Sequence, residues 1–421
     1  QEDMQRVDQV IAQRLDTEVP LVREVAQYII SAGGKRLRPA LLLLVSGALS
    51  MDEAAFSALA QPGVQRLRAY DPGLDLVALR RAHPGLVELG SNENCYGPSP
   101  AARAAAVAAI DAAFVYPDPR GGALRQALAA HHGVAQEQLM LGNGSHELLM
   151  MLGQAFAGPG REVVVSQFGF AVYALAAQSA GATLVQAPAL PAGQPMARGH
   201  DLAALAAAVG PRTCLVYLAN PNNPTGTWFG AGDFETFLAG LPPTVLVVVD
   251  EAYLEYVTEP AIGTALDLLP RFPNLVVTRT FSKAHGLAGL RLGYLVAAPG
   301  LVAVLERLRE SFNVNGPALA AGEAALGDAG HVRQVRQANA AEREALADAL
   351  RARELGVSPS QTNFLLVDFG RDATPVEQGL VARGVVPRPM GGYGLPTCLR
   401  ITVGTRDQNR RFLQALDEVL A

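Results

Sequence analysis

The sequence predicts an α/β protein in which helices cover both faces of a mostly parallel β-sheet. From residue 75 onward, apolar runs rich in β-branched residues alternate with helical stretches, a pattern typical of parallel sheets that are buried on both faces. The clearest strand candidates are residues 162–166, 214–219, 245–249 and 275–278. The chain has 421 residues, which is enough for two or three domains, each with its own core. Binding residues are therefore expected just past the carboxyl ends of these strands.

The first 50 residues have a different pattern, with apolar residues at helical spacing and a second helix predicted to begin at Pro39. The stretch Gly-Gly-Lys-Arg-Leu-Arg-Pro at 33–39 resembles the opening helices of polyprenyl diphosphate synthases, in which it grips a diphosphate. Those enzymes also need aspartate-rich magnesium motifs, and no Asp-Asp-x-x-Asp occurs in the sequence, which argues against synthase activity. Two interpretations stay open: a leader fused to the main body, or a helical extension that packs on it.

Composition limits the partners and the compartment. The net charge is -5 at pH 7 and there is no Lys/Arg-rich run, so the sequence does not predict nucleic-acid binding. The most apolar run near the start, residues 41–49, is too short to span a bilayer. Cys95, Cys214 and Cys398 are far apart, odd in number and form no metal-type pair, which favours inert thiols in a reducing compartment. We therefore expect a cytoplasmic protein that binds neither a metal nor a membrane.

Lysine is scarce in this chain, and its scarcity draws attention to one residue. Lys35 and Lys283 are the only lysines, although lysine and arginine together number 34. The chain uses arginine elsewhere, and a guanidinium cannot act as an amine nucleophile. Lys283 follows the strand candidate at 275–278, within Thr-Phe-Ser-Lys-Ala-His-Gly at 280–286. Its primary amine is a candidate for Schiff-base chemistry with a carbonyl group.

Several strand candidates end in side chains that together suit one cofactor. Residues 214–219 lead into Asn-Pro-Asn-Asn-Pro-Thr-Gly at 220–226, the next strand into Asp-Glu-Ala-Tyr at 250–253, and the third into Ser282 and Lys283. Pyridoxal phosphate needs a lysine for its aldehyde, a carboxylate for its ring nitrogen and donors for its phenolate oxygen. A glycine-rich turn at 142–147, opening a predicted helix at 148–156, offers N–H groups to its phosphate, and Arg291 is a second phosphate candidate.

These motifs together resemble the histidinol-phosphate aminotransferases, a family of fold-type I pyridoxal-phosphate enzymes. The resemblance covers residues 75–421. It is carried, in chain order, by Gly-Ser-Asn-Glu-Asn at 90–94, Tyr-Pro-Asp-Pro at 116–119, Pro-Asn-Asn-Pro-Thr-Gly at 221–226, Asp-Glu-Ala-Tyr at 250–253, Ser282-Lys283 with Arg291, and Leu-Arg-Ile-Thr at 399–402. It implies a large cofactor-binding domain at 125–320 and a smaller α+β domain at 321–421, which residues 75–124 complete. The helical leader at 1–50 precedes them.

The resemblance also implies a role for each matching residue. Lys283 would take the cofactor aldehyde as an imine and then move a proton, and Asp250 would pair with the pyridinium nitrogen. Asn223 and Tyr253 would hold the phenolate oxygen, and Phe168 would stack on the cofactor ring. The phosphate would be held by Gly144, Ser145, His146, Ser282 and Arg291, and by Tyr116 of the neighbouring subunit. The role of that tyrosine implies a homodimer with shared active sites.

The expected substrates follow from the same resemblance. Arg400 resembles the family arginine that receives a substrate anion, and we expect Arg388 to assist it, because guanidinium groups suit carboxylate and phosphate alike. The reaction would convert histidinol phosphate and 2-oxoglutarate to imidazole-acetol phosphate and glutamate, reversibly, in histidine biosynthesis. Two departures bear on substrate preference: His146 replaces an acidic or small polar residue, and Phe168 replaces the more frequent tyrosine. An aminotransferase for phenylalanine or tyrosine therefore stays open, as does, more distantly, a pyridoxal-phosphate lyase.

Overall fold

The computed structural model describes residues 57–65, 67 and 74–421. The chain divides into two units, Gln1–Gln65 and Arg66–Ala421. In the first unit, the described residues include the short helix α1 (Pro62–Gln65), and the Gln65 amide donates to the backbone carbonyl of Ala60 at 2.8 Å. The helices predicted within residues 1–50 lie outside the described residues.

Helices and strands alternate along the second unit. The helices are α2 (Leu76–Ala82), α3 (Pro100–Ala109), α4 (Gly122–His132), α5 (Ser145–Phe156), α6 (Ala171–Ser179), α7 (Leu202–Ala207), α8 (Ala231–Ala239), α9 (Pro299–Leu305), α10 (Gly316–Gly327), α11 (Ala329–Arg351), α12 (Thr374–Ala382) and α13 (Arg406–Leu420). The strands are β1 (Val87–Glu88), β2 (Leu139–Asn143), β3 (Glu162–Ser166), β4 (Thr183–Ala187), β5 (Thr213–Ala219), β6 (Leu246–Asp250), β7 (Leu275–Thr280), β8 (Leu292–Ala297), β9 (Gly356–Val357), β10 (Phe364–Asp368), β11 (Val385–Val386), β12 (Arg388–Pro389) and β13 (Cys398–Thr402).

The largest sheet has seven strands in the order β2-β8-β7-β6-β5-β3-β4. Neighbours from β7 to β4 are parallel, whereas β8 runs antiparallel to both β7 and β2. This arrangement confirms the predicted α/β class, and the four strand candidates are present as β3, β5, β6 and β7. The antiparallel direction of β8 was not predicted, because an apolar pattern gives the position of a strand but not its direction.

Alternate residues of the central strands point to opposite faces of this sheet, and helices bury both faces. Val164 and Val247 belong to one core cluster together with Phe234 of α8. Val163 and Val248, one position away, belong to a second cluster that includes residues of α5 and α6. Burying one such valine side chain stabilises the fold by roughly 1.5–3 kcal/mol. Valine-rich strands without polar alternation therefore produce a sheet covered on two sides.

A smaller antiparallel sheet, in the order β12-β13-β10-β9, is built from the last part of the chain. Beside it, β1 pairs in parallel with β11, so that residues 87–88 join the C-terminal region. Val87 and Leu89 are buried in one cluster with Leu399, Ile401 and Phe412. This packing holds the start of the segment that follows β1 against the core of the C-terminal region. The boundaries that we predicted between the two domains, at residues 125 and 321, stay predictions.

Candidate active site

The strand directions bring the predicted motifs to one edge of the seven-stranded sheet. β2, β3, β5, β6 and β7 point the same way, so their carboxyl ends meet at this edge, and the antiparallel strand β8 begins there. Most of the predicted site residues stand at these strand ends: Gly144, Ser145 and His146 after β2, Phe168 after β3, Asn223 after β5, Asp250 and Tyr253 at and after the end of β6, Ser282 and Lys283 after β7, and Arg291 before β8.

Lys283 presents a desolvated amine at this edge. Its Nζ donates to the backbone carbonyl of Asn92 at 3.2 Å and lies 5.6 Å from the centre of the Tyr253 ring. Burial, reinforced by the positive charge of Arg400, lowers the pKa of Lys283 from 10.5 to about 8. Such an amine is neutral in part of the population at mildly alkaline pH, and the neutral form is the one that attacks a carbonyl.

Asp250 is a buried carboxylate at the end of β6, between Ala219 of β5 and Thr278 of β7 in the strand register. It accepts hydrogen bonds from the Thr278 hydroxyl and from the Tyr173 phenol, both at 3.1 Å. Burial raises the pKa of Asp250 from 3.8 to about 6, against these hydrogen bonds and the charge of Lys283, which lower it. A cation placed beside this carboxylate would favour its ionised form, so Asp250 is suited to hold a protonated ring nitrogen.

Tyr253 is a buried phenol whose hydroxyl accepts one hydrogen bond and keeps its own hydrogen to donate. Its buried ring meets Phe364 edge-on at 5.3 Å between centroids, and its hydroxyl accepts a hydrogen bond from Asn92 Nδ2 at 2.9 Å. Burial raises the pKa of Tyr253 to about 12. The phenol therefore keeps its proton at neutral pH and can donate it to an anionic oxygen.

Asn223 and Arg400 are joined by a short hydrogen bond. Arg400 Nη1 donates to Asn223 Oδ1 at 2.6 Å, and Nη2 donates to the carbonyl of Gly90 at 2.8 Å. The guanidinium carbon lies 5.3 Å from the centre of the Phe364 ring. Because Arg400 occupies the Asn223 oxygen, the amide nitrogen of Asn223 remains to donate to a second group. Arg400 thus orients one predicted cofactor contact and adds positive charge to the site.

The start of α5 and Arg291 form a cradle for an anion. α5 begins at Ser145, directly after Gly144 at φ +79°, and within the described part of the chain no side chain caps its first turn. Its N–H groups are therefore available to a phosphate. A Cβ atom at Gly144 would lie 2.5 Å from Arg291 Nη2, so a glycine is needed for the guanidinium to reach this place. Arg291 also donates to the Ser282 hydroxyl at 3.4 Å, which completes a basic, hydroxyl-bearing cradle.

The two residues that depart from the family pattern both lie at this edge. His146 is in the first turn of α5, where desolvation and then the charge of Arg291 lower its pKa, so the imidazole is neutral near pH 7. Phe168 is buried in a cluster with Leu366 and Met390, and its backbone carbonyl accepts from Asn222 Nδ2 at 2.9 Å. The ring of Phe168 therefore adds an apolar wall rather than a hydroxyl.

Two predicted residues are not gathered with the others. Arg388 is half-buried and lies opposite Arg400 in the β12–β13 pairing, so both side chains leave the same face of the small sheet. Its charge acts on Glu377 of α12, whose pKa is raised by burial and lowered by Arg388. Tyr116 is 80% exposed and stacks on Phe312 at 4.6 Å between ring centroids. The predicted roles of Arg388 and Tyr116 stay predictions.

Sequence reasoning missed three groups that hold the predicted residues in place. Tyr173 and Thr278 donate to the Asp250 carboxylate, and Asn92 contacts both Tyr253 and Lys283. Thr278 could have been found, because the register of neighbouring parallel strands places it opposite Asp250. Tyr173 lies on α6 and Asn92 lies far upstream of Tyr253, so no local pattern indicates either contact.

The described residues include neither a metal-binding cluster nor a membrane-spanning helix. Within residues 57–65, 67 and 74–421, no group of three or more His, Cys, Asp or Glu side chains is arranged to hold a metal ion. Among those residues, no helix is both long and apolar enough to cross a membrane. Cys95, Cys214 and Cys398 are all free thiols, with Cys214 and Cys398 buried.

Comparison with known proteins decides the family. The model of the family described as aminotransferase class I and II matches residues 84–416. The chain belongs to this family. It is 48% identical over 372 residues to histidinol-phosphate aminotransferase 2 of Pseudomonas fluorescens, an alignment that covers 87% of this chain and 98% of the relative. It is 46% identical to histidinol-phosphate aminotransferase 1 of Nitrosococcus oceani, over 88% of this chain and 99% of that one.

Solved structures agree with the fold. The crystal structure of histidinol-phosphate aminotransferase from Sinorhizobium meliloti, in complex with pyridoxal-5'-phosphate, superposes with a TM-score of 0.79 at 32% identity, covering 88% of this chain and 99% of that one. The predicted fold-type I architecture is therefore confirmed.

Proposed function

We propose that this protein is a pyridoxal-phosphate-dependent aminotransferase of histidine biosynthesis. It would interconvert histidinol phosphate plus 2-oxoglutarate with imidazole-acetol phosphate plus glutamate. The observation that carries the proposal is the desolvated amine of Lys283, which stands at the same sheet edge as the buried carboxylate of Asp250. The identity of 46–48% to histidinol-phosphate aminotransferases over nearly their whole length supports the substrate.

The residues present fit pyridoxal phosphate. A Cβ atom at Gly144 would meet the Arg291 guanidinium at 2.5 Å, so the glycine lets this positive charge stand beside the uncapped start of α5, where a phosphate would be held. When bound, the cofactor supplies an aldehyde for amino groups and a ring that takes up the electrons of a broken Cα–H bond. Lys283 would bind that aldehyde, Asp250 would accept the ring N–H, and Asn223 with Tyr253 would donate to the phenolate oxygen.

Lys283 would also carry the proton. With its amine free and neutral, Lys283 would take a proton from the substrate α-carbon and later give that proton up again. A pKa of about 8 leaves this amine able both to accept and to give a proton near neutral pH. Asp250 would make this removal easier, because its negative charge would favour the protonated form of a ring nitrogen held beside it.

Arg400 would receive the substrate anion. It is buried, and its Nη atoms are fixed by Asn223 and Gly90, so its guanidinium is held in one orientation. Histidinol phosphate carries a phosphate and 2-oxoglutarate carries carboxylates, and a guanidinium binds both. Arg388, on the same face of the small sheet, would add a second positive charge.

A second candidate substrate class is supported by the surroundings of Phe168. The ring belongs to an apolar cluster with Leu366, Met390 and Leu395 and brings no hydroxyl to the site. Such a wall suits the ring of phenylalanine or tyrosine at least as well as an imidazole. Aromatic amino acid transamination is therefore the alternative that the same experiment has to test.

We further propose a cytoplasmic homodimer. Tyr116 lies in a run of exposed apolar side chains, and an exposed surface of this kind is typical of an interface with a partner. The members with more than half of their surface exposed are Val107, Ile110, Phe114, Val115 and Tyr116. Across this interface Tyr116 would reach the cofactor phosphate of the neighbouring subunit. Free cysteines are compatible with a reducing compartment.

One set of kinetic measurements tests the substrate. Purified protein is loaded with pyridoxal phosphate, and kcat/KM is measured for histidinol phosphate and for phenylalanine, each with 2-oxoglutarate. We expect histidinol phosphate to be preferred; a preference of about tenfold or more for phenylalanine, about 1.4 kcal/mol in transition-state binding, would favour the aromatic alternative. Formation of ammonia and a keto acid without any acceptor would instead indicate a lyase. Light scattering of the same preparation gives the oligomeric state.

A further inference from the structure

Asn92 makes a dense set of contacts at the edge of the site, although no catalytic role follows from its place in the sequence. It is 2% exposed, and its Nδ2 donates to the Tyr253 hydroxyl at 2.9 Å. Its backbone carbonyl accepts from Lys283 Nζ at 3.2 Å and from Asn363 Nδ2 at 3.1 Å. One residue therefore touches both the phenol and the amine that the proposed reaction uses.

Thr402 fixes the orientation of the Asn92 amide. The Asn92 backbone N–H donates to Thr402 Oγ1 at 3.0 Å, and the same hydroxyl lies 3.4 Å from Asn92 Oδ1. Because the backbone N–H is itself a donor, the single hydrogen of the Thr402 hydroxyl remains to donate to Asn92 Oδ1. The Oδ1 atom is thus the acceptor, and Nδ2 is the atom that faces Tyr253.

This orientation dictates what the Tyr253 hydroxyl can do. Because its oxygen accepts the Asn92 N–H, the single phenolic hydrogen must point elsewhere. Among the described residues, no acceptor for that hydrogen lies within hydrogen-bonding distance of Tyr253. Within the part of the chain that the structure describes, this hydrogen is therefore available to a bound group.

We propose that Asn92 is a positioning residue that makes Tyr253 an obligatory hydrogen-bond donor to the phenolate oxygen of the bound cofactor. The inference rests on the proposed function, because it concerns the same cofactor. Asn92 would act through Tyr253 and not on the substrate. Since Thr402 and Asn363 hold Asn92, the small sheet would set the direction of a hydrogen bond in the large one.

The backbone of Asn92 allows a clean substitution. Its φ is +55°, a left-handed conformation that asparagine and glycine tolerate better than other residues. Asn92→Gly therefore removes the amide and keeps the backbone carbonyl that Lys283 contacts. Asn92→Asp keeps the shape but replaces the donor with an acceptor, which would turn the Tyr253 hydrogen away from the cofactor.

The test is the pH titration of the visible absorbance of the cofactor-loaded protein. Its midpoint reports the protonation of the Lys283 nitrogen bonded to the cofactor. A donor to the neighbouring phenolate oxygen stabilises the negative charge there and so lowers the proton affinity of that nitrogen. We expect Asn92→Gly to raise the midpoint by about 0.5–1 pH unit and Asn92→Asp to raise it further.

A double-mutant cycle with Tyr253→Phe separates positioning from a general structural effect. If Asn92 acts through the hydroxyl, the shift caused by Asn92→Gly disappears once Tyr253 is phenylalanine. Ser91 serves as the matched control, because its side chain is exposed and hydrogen-bonds to Glu88. Ser91→Ala is expected to leave the midpoint unchanged, and Ser91→Asp measures the effect of an added charge in the same segment.

The outcomes distinguish this inference from the proposed function. An unshifted midpoint in Asn92→Gly, or an equal shift in the Tyr253→Phe background, overturns the inference while leaving the proposed function intact. A wild-type protein that takes up no pyridoxal phosphate overturns both. If Asn92→Gly does not fold, Asn92→Asp carries the test, and a midpoint no higher than that of Ser91→Asp counts against the inference.

Discussion

Replacing Lys283 by methionine should stabilise the cofactor-free protein. The pKa of Lys283 is lowered from 10.5 to about 8, so its protonation costs the folded state about 3 kcal/mol relative to the unfolded state at neutral pH. Methionine has a similar length without the charge. It also loses the hydrogen bond to the Asn92 carbonyl, which contributes about 1 kcal/mol. The net gain is therefore about 2 kcal/mol, since desolvation of the ammonium outweighs the lost hydrogen bond.

The sign of the pH dependence provides the sharper test. The unfolded lysine binds its proton more tightly than the folded one, so wild-type stability rises as the pH increases from about 8 toward 10.5. The advantage of Lys283→Met should thus be full near pH 7 and should vanish near pH 10.5. The second unit, Arg66–Ala421, has about 350 residues, each contributing about 2.1 cal/mol/K of unfolding entropy. A gain of about 2 kcal/mol therefore corresponds to a rise of about 3 °C in its unfolding midpoint.

Thermal unfolding of the cofactor-free protein at these two pH values is the assay. Lys283→Arg keeps a charge that cannot be neutralised and should lower the midpoint, and Lys35→Met controls for the removal of a lysine as such. If Lys283→Met has the same midpoint as the wild type at both pH values, the amine is not desolvated as the structure indicates. A gain that is equal at both pH values would mean that packing, and not charge, is responsible.

Two further substitutions probe the cofactor contacts. Asp250→Asn removes the charge opposite the ring nitrogen and should raise the Kd for pyridoxal phosphate by about tenfold or more in an absorbance titration. Its control is Asp233→Asn, on the exposed surface of α8, which should leave this Kd unchanged. Gly144→Ala places a Cβ 2.5 Å from the Arg291 guanidinium at a φ of +79° and should also raise this Kd about tenfold or more. Gly158→Ala, with no heavy atom within 4 Å of the added carbon, is its control, and equal Kd values for the two alanine variants would contradict the anion cradle.

Much of the architecture could be predicted because its signals are local. Valine-rich runs bounded by polar residues predict buried strands, and β3, β5, β6 and β7 lie where these runs occur. The stretches between these runs predict helices, because their apolar residues recur at helical spacing. The direction of β8 could not be predicted in this way, because it depends on which neighbours the strand finds in the sheet.

The site residues were predictable to the extent that they follow strand ends. Lys283, Asp250, Asn223 and Arg291 each adjoin such an end, and the convergence of parallel strands places them at one edge. Arg388 was predicted to assist Arg400 because a guanidinium group suits carboxylate and phosphate alike. The structure places Arg388 and Arg400 on the same face of the small sheet, but their neighbours differ. The charge of Arg388 acts on Glu377, whereas Arg400 donates to Asn223.

By itself, the sequence determined the chemistry of the site. It places a lysine just after one strand, a carboxylate at the end of another strand, and a glycine just before the start of a helix. Only the tertiary structure decided the pKa values and the hydrogen-bond partners of these groups. The contact of Asn92 with Tyr253 joins residues 161 positions apart, and its contact with Thr402 joins residues 310 positions apart. No local sequence pattern indicates such pairs, because they form only when two separately packed sheets come into contact. The pKa of Lys283 depends on the same meeting, since its amine loses water when the segment containing Asn92 lies against it.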